Sequence, residues 1–306
     1  MPSVIYTNQA SLMAQKGLLG AQNSLANSVE RLSSGLRINR AKDDAAGLGV
    51  GENLQKQLNG AQQGLHNVND AISMAQTAEG ALQAVTAVAQ RIITLATQGA
   101  NDTMSKDQRS AIVFEIDKLR TTIRDIAKRT KYTDTPLFNY AGTAAMNIQV
   151  SNQSNDTISI GATALGPISI DSSTAATTSG TSLTTAGAST AGVTLNTAIS
   201  AIVTAQSGTS IDSSLFTSIQ AAASSYLNDI ITQRGQLGAV QNQLEYTVAN
   251  LSEFSNNLAA SRSRVMDTDY AAETANLTKG QILQQASTAM LAQANQMPNV
   301  ILSLLK

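Results

Sequence analysis

The 306-residue sequence has no cysteine, no tryptophan, a single histidine and only 3% aromatic residues. Without cysteine there is no disulfide, no thiolate metal site and no cysteine nucleophile. His66 alone excludes a multi-histidine metal centre and would have to serve any Ser-His-Asp triad. Aromatic side chains usually supply much of a globular core's contact area. This chain must instead bury Leu, Ile, Val and Ala, as bundles and coiled coils do. A formal charge of −1 lacks the basic excess of a dedicated nucleic-acid binder. No window approaches the roughly 18 apolar residues of a transmembrane helix, so no membrane insertion is expected. The opening "MPSVIYTNQA" lacks a basic segment followed by an apolar one. These features predict a soluble cytoplasmic protein, or one exported by a route that reads no cleavable signal.

Charge is also missing locally. From Tyr132 to Gln233 there is no Lys or Arg, and the only charges are Asp134, Asp156, Asp171, Asp212 and Asp229. This middle zone, about 132–214, is rich in Ser, Thr, Ala, Gly and Asn. The zones on either side, about 1–131 and 215–306, are rich in Leu, Ala, Gln and paired charges. That arrangement predicts two helical ends that pair and a middle that projects.

What is present is heptad spacing. Leu18, Leu25 and Leu32 lie seven apart, with Val29 and Leu36 nearby. Leu237, Leu244, Leu251, Leu258 and Val265 form an unbroken seven-residue ladder. Leu283, Ser287, Met290, Ala294, Met297, Ile301 and Leu304 alternate by four and three. A period of 3.5 aligns each set on one stripe that must face another helix. A long helix is expected from about Asp44 to Gln98, carrying Leu58, Leu65, Val68, Ile72, Leu82, Val85 and Ile92. It ends at the breaker "QGAND". Ser105 and Gln108 form a capping box that opens the next helix, with Ile112, Ile116, Leu119, Ile123 and Ile126 on its apolar stripe. "MNIQV" and "TISI" read as strands joined by a polar "SNQSND" loop. The Thr/Ser-rich "DSSTAATTSGTSLTTAGASTAGVTL" reads as a small β-rich insert. The final helix has amide or small residues at Gln281, Gln284, Gln285, Ser287, Thr288, Ala292, Gln293, Asn295 and Gln296. A helix so poor in charge all round is usually buried among others, and one chain offers too few helices for that. Packing between copies is the expectation.

Chemical motifs are weak beside this. "GLGVGENL" follows no strand and lacks the G-x-G-x-x-G spacing of a dinucleotide loop. The cations Arg31, Arg37, Arg40 and Lys42 are offset by Glu30, Asp43 and Asp44, whereas a nucleic-acid patch keeps its charge free to displace counterions. Asp43 and Asp44 suit the positive end of a helix dipole better than acid–base work. Gly35 suits the turn out of the first helix. His66, in "GLHNVND", has no fixed acid–base partner. "SRSRVMDTDY", 261–270, suits ion pairs between protomers. No enzyme activity, cofactor or metal is expected.

"SVERLSSGLRINRAKDDAAGLGVGENL" closely resembles the N-terminal signature of bacterial flagellin. "SRSRVMDTDYAAETANLTKGQILQQASTAMLAQANQMPNVILSLL" resembles the matching C-terminal signature. Together the likeness spans about 1–140 and 215–306. The resemblance implies a mainly α fold of long antiparallel helices and a terminal coiled coil, with a β-hairpin and a small β-rich outer insert. It implies five segments: 1–42 and 263–306 as the two halves of an inner coiled coil, 43–140 and 215–262 as a rod-like helical part, and 141–214 as hairpin and surface insert. The implied product is a structural subunit that polymerises into the flagellar filament and serves motility, with itself as main partner. Expected inter-subunit residues are Leu18, Leu25, Leu32, Arg31, Arg37, Arg40, Leu283, Met290, Met297, Ile301 and Leu304. Export through the type III apparatus would make it extracellular, with an export chaperone, cap and junction proteins as further partners. "QRIITLATQGAND" resembles the family's motif for a host Toll-like receptor, implying contacts at Gln90, Arg91, Leu95, Gln98 and Glu115. Ile93 and Thr94 replace the usual Arg-Glu pair there. A hook–filament junction protein and a flagellin-like adhesin are the alternative classes.

Overall fold

A computed structural model describes residues 8–138, 146–161, 168, 190–206 and 212–304, without the side chains of 190 and 297–304. Six helices and two short hairpins appear among the described residues. In chain order they are α1 (Gln9–Ser34), α2 (Ala45–Gly99), α3 (Lys106–Arg129), β1 (Lys131–Tyr132), β2 (Thr135–Pro136), β3 (Met146–Gln149), β4 (Thr157–Ile160), α4 (Thr190–Gln206), α5 (Ser213–Met266) and α6 (Tyr270–Leu304). They form two compact units, 1–59 with 255–306, and 60–254.

The first unit is built on an antiparallel pair of α1 and α6. Asn8 caps α1 by accepting the Ser11 N–H at 3.1 Å. The seam on α1 runs Ser11, Ala14, Leu18, Ala21, Leu25 and Ser28, the partly or fully buried positions at spacings of three and four. Its counterpart on α6 is Glu273, Leu277, Gly280, Gln284, Ser287, Leu291 and Ala294. Most of these residues are small, so the backbones approach closely. A methyl added to Gly280 would sit 3.6 Å from Leu25, and one on Gly17 would sit 3.7 Å from the Ser287 hydroxyl. Polar ties fix the register at the far end. The Asn8 amide donates to the Ala294 carbonyl at 2.8 Å, and the Ser11 hydroxyl donates to Asn295 at 3.0 Å.

Two connectors complete this unit. Gly35 ends α1 in the left-handed conformation, φ 72°, with its N–H on the Arg31 carbonyl. That conformation carries little penalty only for glycine. The chain then pairs with the α5–α6 link: Arg37 N–H donates to the Met266 carbonyl at 2.6 Å, and Thr268 N–H to the Gly35 carbonyl at 3.0 Å. Ile38 is buried beneath them. Asp44 opens α2 by accepting the Gly47 N–H at 2.8 Å. Asp269 opens α6 by accepting the Ala271 and Ala272 N–H groups.

In the second unit, α2 buries a strict heptad pattern: Ala61, Val68, Ala71, Ala75, Ala78, Leu82, Val85, Ala89, Ile92 and Ala96. On α5, Phe216, Ala223, Ile230, Leu237, Leu244 and Leu251 are buried seven apart, extending the ladder read from Leu237 backward by three rungs. Leu258 continues it within the first unit. A bundle of this kind needs no aromatic core, yet three aromatic rings, Phe138, Phe216 and Tyr226, are buried in it. Phe216 fills the space over Gly99, and Tyr226 is wholly buried with its hydroxyl donating to the Ile168 carbonyl at 2.6 Å. The capping box at Ser105 and Gln108 is formed.

The β3–β4 hairpin is antiparallel, with Met146 opposite Ile160 and Ile148 opposite Ile158. It lies directly on α2 at Gly64. A methyl built there would meet the Val150 carbonyl oxygen at 1.7 Å. The smaller β1–β2 hairpin turns through Thr133 and Asp134, both at positive φ. One expectation is corrected. Residues 190–195, read as part of a β-rich stretch, begin helix α4. Gly192, Leu195, Ile199 and Ile202 recur at three and four and are all buried, and α4 packs on α3. This 3.6-residue period outweighs the local Thr and Ser content. Of the expected insert, 141–145, 162–167, 169–189 and 207–211 lie outside the described residues.

Candidate interaction surfaces

Packing α1 on α6 largely through small residues leaves several larger apolar side chains pointing away from the seam. On α1, Leu12, Met13, Leu19 and Val29 are all more than half exposed. On α6, Ile282 and Met290 are likewise, and Leu283 nearly so. The single stripe expected on α6 therefore divides. Ser287 and Ala294 face α1, whereas Leu283 and Met290 do not. Leu18, Leu25 and Leu32 are half-buried in or beside the seam. Met297, Ile301 and Leu304 fall within the span of α6, but their side chains lie outside the described residues. Soluble monomers rarely expose large contiguous apolar faces, and such faces mark association sites.

Three of the cations around the α1–α2 connector, Arg31, Arg37 and Arg40, already have partners within the chain. Arg31 lies 3.7 Å from Glu273, whose carboxylate is buried at the seam. Arg37 donates to the Val265 carbonyl at 2.7 Å. Arg40 pairs with Glu30 at 2.7 Å, and Asn39 donates to the same oxygen. Asp43 does not sit at the helix start. It folds back to accept the Arg40 and Asn39 N–H groups at 3.0 and 3.3 Å. The Arg40 N–H, chiefly, holds its carboxyl below the ordinary carboxylate range, with the Asn39 N–H and the charges of Lys42 and Arg31 adding to it. The connector is thus a folded, hydrogen-bonded joint.

A second surface lies on α2 and α3. Arg91 grips Glu115 through two hydrogen bonds, 2.9 and 2.7 Å; Arg91 is exposed and Glu115 half-exposed. Gln90 and Gln98 are exposed on α2. Leu95 is 2% exposed. In the described chain its side chain belongs to the hydrophobic core. An open depression is lined by Ile93, Thr94, Thr97, Gln98, Asn101 and Met104. Phe114, exposed on α3, carries the Lys118 ammonium 5.2 Å from its ring centre.

Neither surface holds a converging set of catalytic groups. His66 is exposed on α2. Among the described residues no three metal-ligating side chains cluster. No helix among them is long and apolar enough to cross a membrane. Sequence reading missed Glu273, Asn8 and the small seam residues Ala14, Ala21 and Gly280. Their signal was present as a heptad of small residues beside the more conspicuous leucines.

The same segments carry the likeness to known proteins. Residues 5–143 match the family model of the bacterial flagellin N-terminal helical region, and residues 220–305 that of the C-terminal helical region. The chain is 37% identical to flagellin of Bacillus subtilis (strain 168), over 98% of each chain. It is 35% identical to flagellin of Halalkalibacterium halodurans, over 99% of this chain and 100% of that one. A structure described as a flagellar hook-associated protein from Vibrio parahaemolyticus superposes with a TM-score of 0.58 at 13% identity, covering 74% of this chain and 100% of the other. At that identity the likeness concerns the fold alone.

Proposed function

The chain belongs to the bacterial flagellin family, and from that premise we propose that it polymerises end on end and side by side into a motility filament through the outward faces of α1 and α6. Family membership makes it a structural subunit of the extracellular flagellar filament, with itself as partner. The motility role and the contact residues are our reading. Its main support is the apolar set Leu12, Leu19, Ile282 and Leu283, which the described chain leaves 46–61% exposed. Burying one such side chain contributes about 1.5–3 kcal/mol. Several per contact, repeated along a lattice, offset the cost of ordering a subunit. One heterologous contact repeated with a rotation that does not close gives a helix. Leu18, Leu25 and Leu32 then act indirectly, by holding the pair that displays these faces. Arg31, Arg37 and Arg40 set the joint.

In this reading, 1–42 and 263–306 form the inner layer, 43–140 and 215–262 the rod, and 141–214 the outward part. A chaperone that shields α6 before export, and cap and junction proteins that direct addition, are expected partners. The experiment is electron microscopy of the purified full chain under polymerising conditions, beside a variant lacking about the last twenty residues. Long filaments from the full chain, and a soluble helical monomer from the variant, are expected. Filaments from the truncated chain would refute the reading. Short rings or caps from the full chain would favour a junction protein.

The secondary role we propose is recognition by a host Toll-like receptor through Gln90, Arg91, Gln98 and Glu115. Arg91→Ala should abolish reporter-cell activation by monomer while leaving its fold intact. Undiminished activation would overturn that role.

A further inference from the structure

The first unit displays two methionines. Met13 on α1 is 79% exposed and Met290 on α6 is 62% exposed, whereas Met74 and Met266 are each 4% exposed. The contacts Asn8–Ala294 and Gly17–Ser287 bracket both, so the two free thioethers stand at the same level of the antiparallel pair. Leu12 and Leu283 are exposed near them. With no cysteine in the chain, methionine is its sole sulfur chemistry.

We propose that Met13 and Met290 are sites of reversible oxidation by peroxides, and that their sulfoxides block subunit joining. This rests on the reading that a second copy covers these faces. In the forward step a thioether lone pair attacks one peroxide oxygen. The S–O bond forms, the O–O bond breaks, and hydrogen peroxide leaves as water. Sulfur loses two electrons and the peroxide gains them. A thiol-dependent sulfoxide reductase reverses the change, forming water and a disulfide on the reductant. The product places a polar, chiral S–O group where a neighbouring subunit needs a flexible apolar one. Reaction follows exposure, so the unassembled subunit is the target. Once the lattice covers both side chains they are protected. The modification therefore gates addition without dismantling filament already built.

The test uses the purified full-length chain treated with hydrogen peroxide, peptide mass mapping, and the critical concentration for polymerisation by sedimentation. Sulfoxide should appear at Met13 and Met290 before Met74 and Met266. Loss of apolar burial at one side chain corresponds to a rise of roughly tenfold in critical concentration. In a Met13→Leu/Met290→Leu variant, which lacks both thioethers, the critical concentration measured after peroxide should equal that variant's own value before peroxide. Treatment of finished filaments should leave both thioethers unmodified. The proposal is overturned if oxidised monomer keeps its critical concentration, if Met74 or Met266 reacts first, or if the double leucine variant is inactivated equally. Failure of untreated protein to polymerise would overturn the filament reading itself, and this proposal with it.

Discussion

A single methyl group at Gly64 should separate close packing from helix propensity. A Cβ there meets the Val150 carbonyl oxygen at 1.7 Å and its carbon at 2.7 Å. Ordinary contact begins at about 3.4 Å, so hairpin or helix must shift by roughly half that distance. The obstacle is backbone, with no flexible side-chain end to swing away. The Asn67 amide bond to the Gln149 carbonyl, 2.9 Å, is strained by the same shift. Overpacking at this level costs about 3 kcal/mol, and the gain in helix propensity returns about 1 kcal/mol. A net loss of about 2 kcal/mol lowers Tm by roughly 4–8 °C for a unit of this size. Gly80, on the same helix and exposed, has nothing within 4 Å of its added Cβ. Gly80→Ala should therefore raise Tm by roughly 2–4 °C. Thermal unfolding of both monomers by circular dichroism measures the difference. If Gly64→Ala is as stable as Gly80→Ala, the hairpin does not rest on α2 as described.

Three further outcomes follow from individual groups. Asp43 titrates below its unfolded value, so its hold on the connector is fully present above that value and is lost as pH falls through the lower folded one. Amide exchange at Asn39 and Arg40 should quicken over that acid range, and Asp43→Asn should remove the pH dependence. Tyr226→Phe leaves the Ile168 carbonyl without its donor and should cost about 1–2 kcal/mol by urea denaturation. An unchanged midpoint would remove that tie from the account. Arg31→Ala leaves the Glu273 carboxylate without its counter-charge at a buried seam and should loosen α1 and α6 by about 1–2 kcal/mol. Hydrogen exchange confined to those helices would register it.

The heptads were legible because Leu and Ile mark them. The ladder from Leu237 to Leu258 and the stop at "QGAND" follow directly from spacing and breaker chemistry. Alanine carried the rest unseen. Ala61, Ala75, Ala89 and Ala96 are as buried as Leu82, yet an alanine signals helix without signalling which face. The same ambiguity hid the α1–α6 seam. Leu283 and Met290 attract the eye as core, but Gly280, Ser287 and Ala294 permit the closer approach and take the seam. Adjacent aspartates likewise read as one capping cluster, whereas Asp44 caps α2 and Asp43 staples the turn before it. The β1–β2 turn carries Thr133 and Asp134 at positive φ, without the Asn-Gly or Asp-Gly signal that usually announces such a turn. The start of α4 was masked by Thr and Ser, residues whose weak propensity tertiary packing readily overrides.

The central claim is that the apolar side chains turned away from the α1–α6 seam make the contacts between copies. A side-chain-resolution helical reconstruction of filaments grown from the purified chain tests it most directly. Leu12, Leu19, Ile282 and Leu283 should be packed against neighbouring subunits. Filaments in which these four residues face solvent would contradict it.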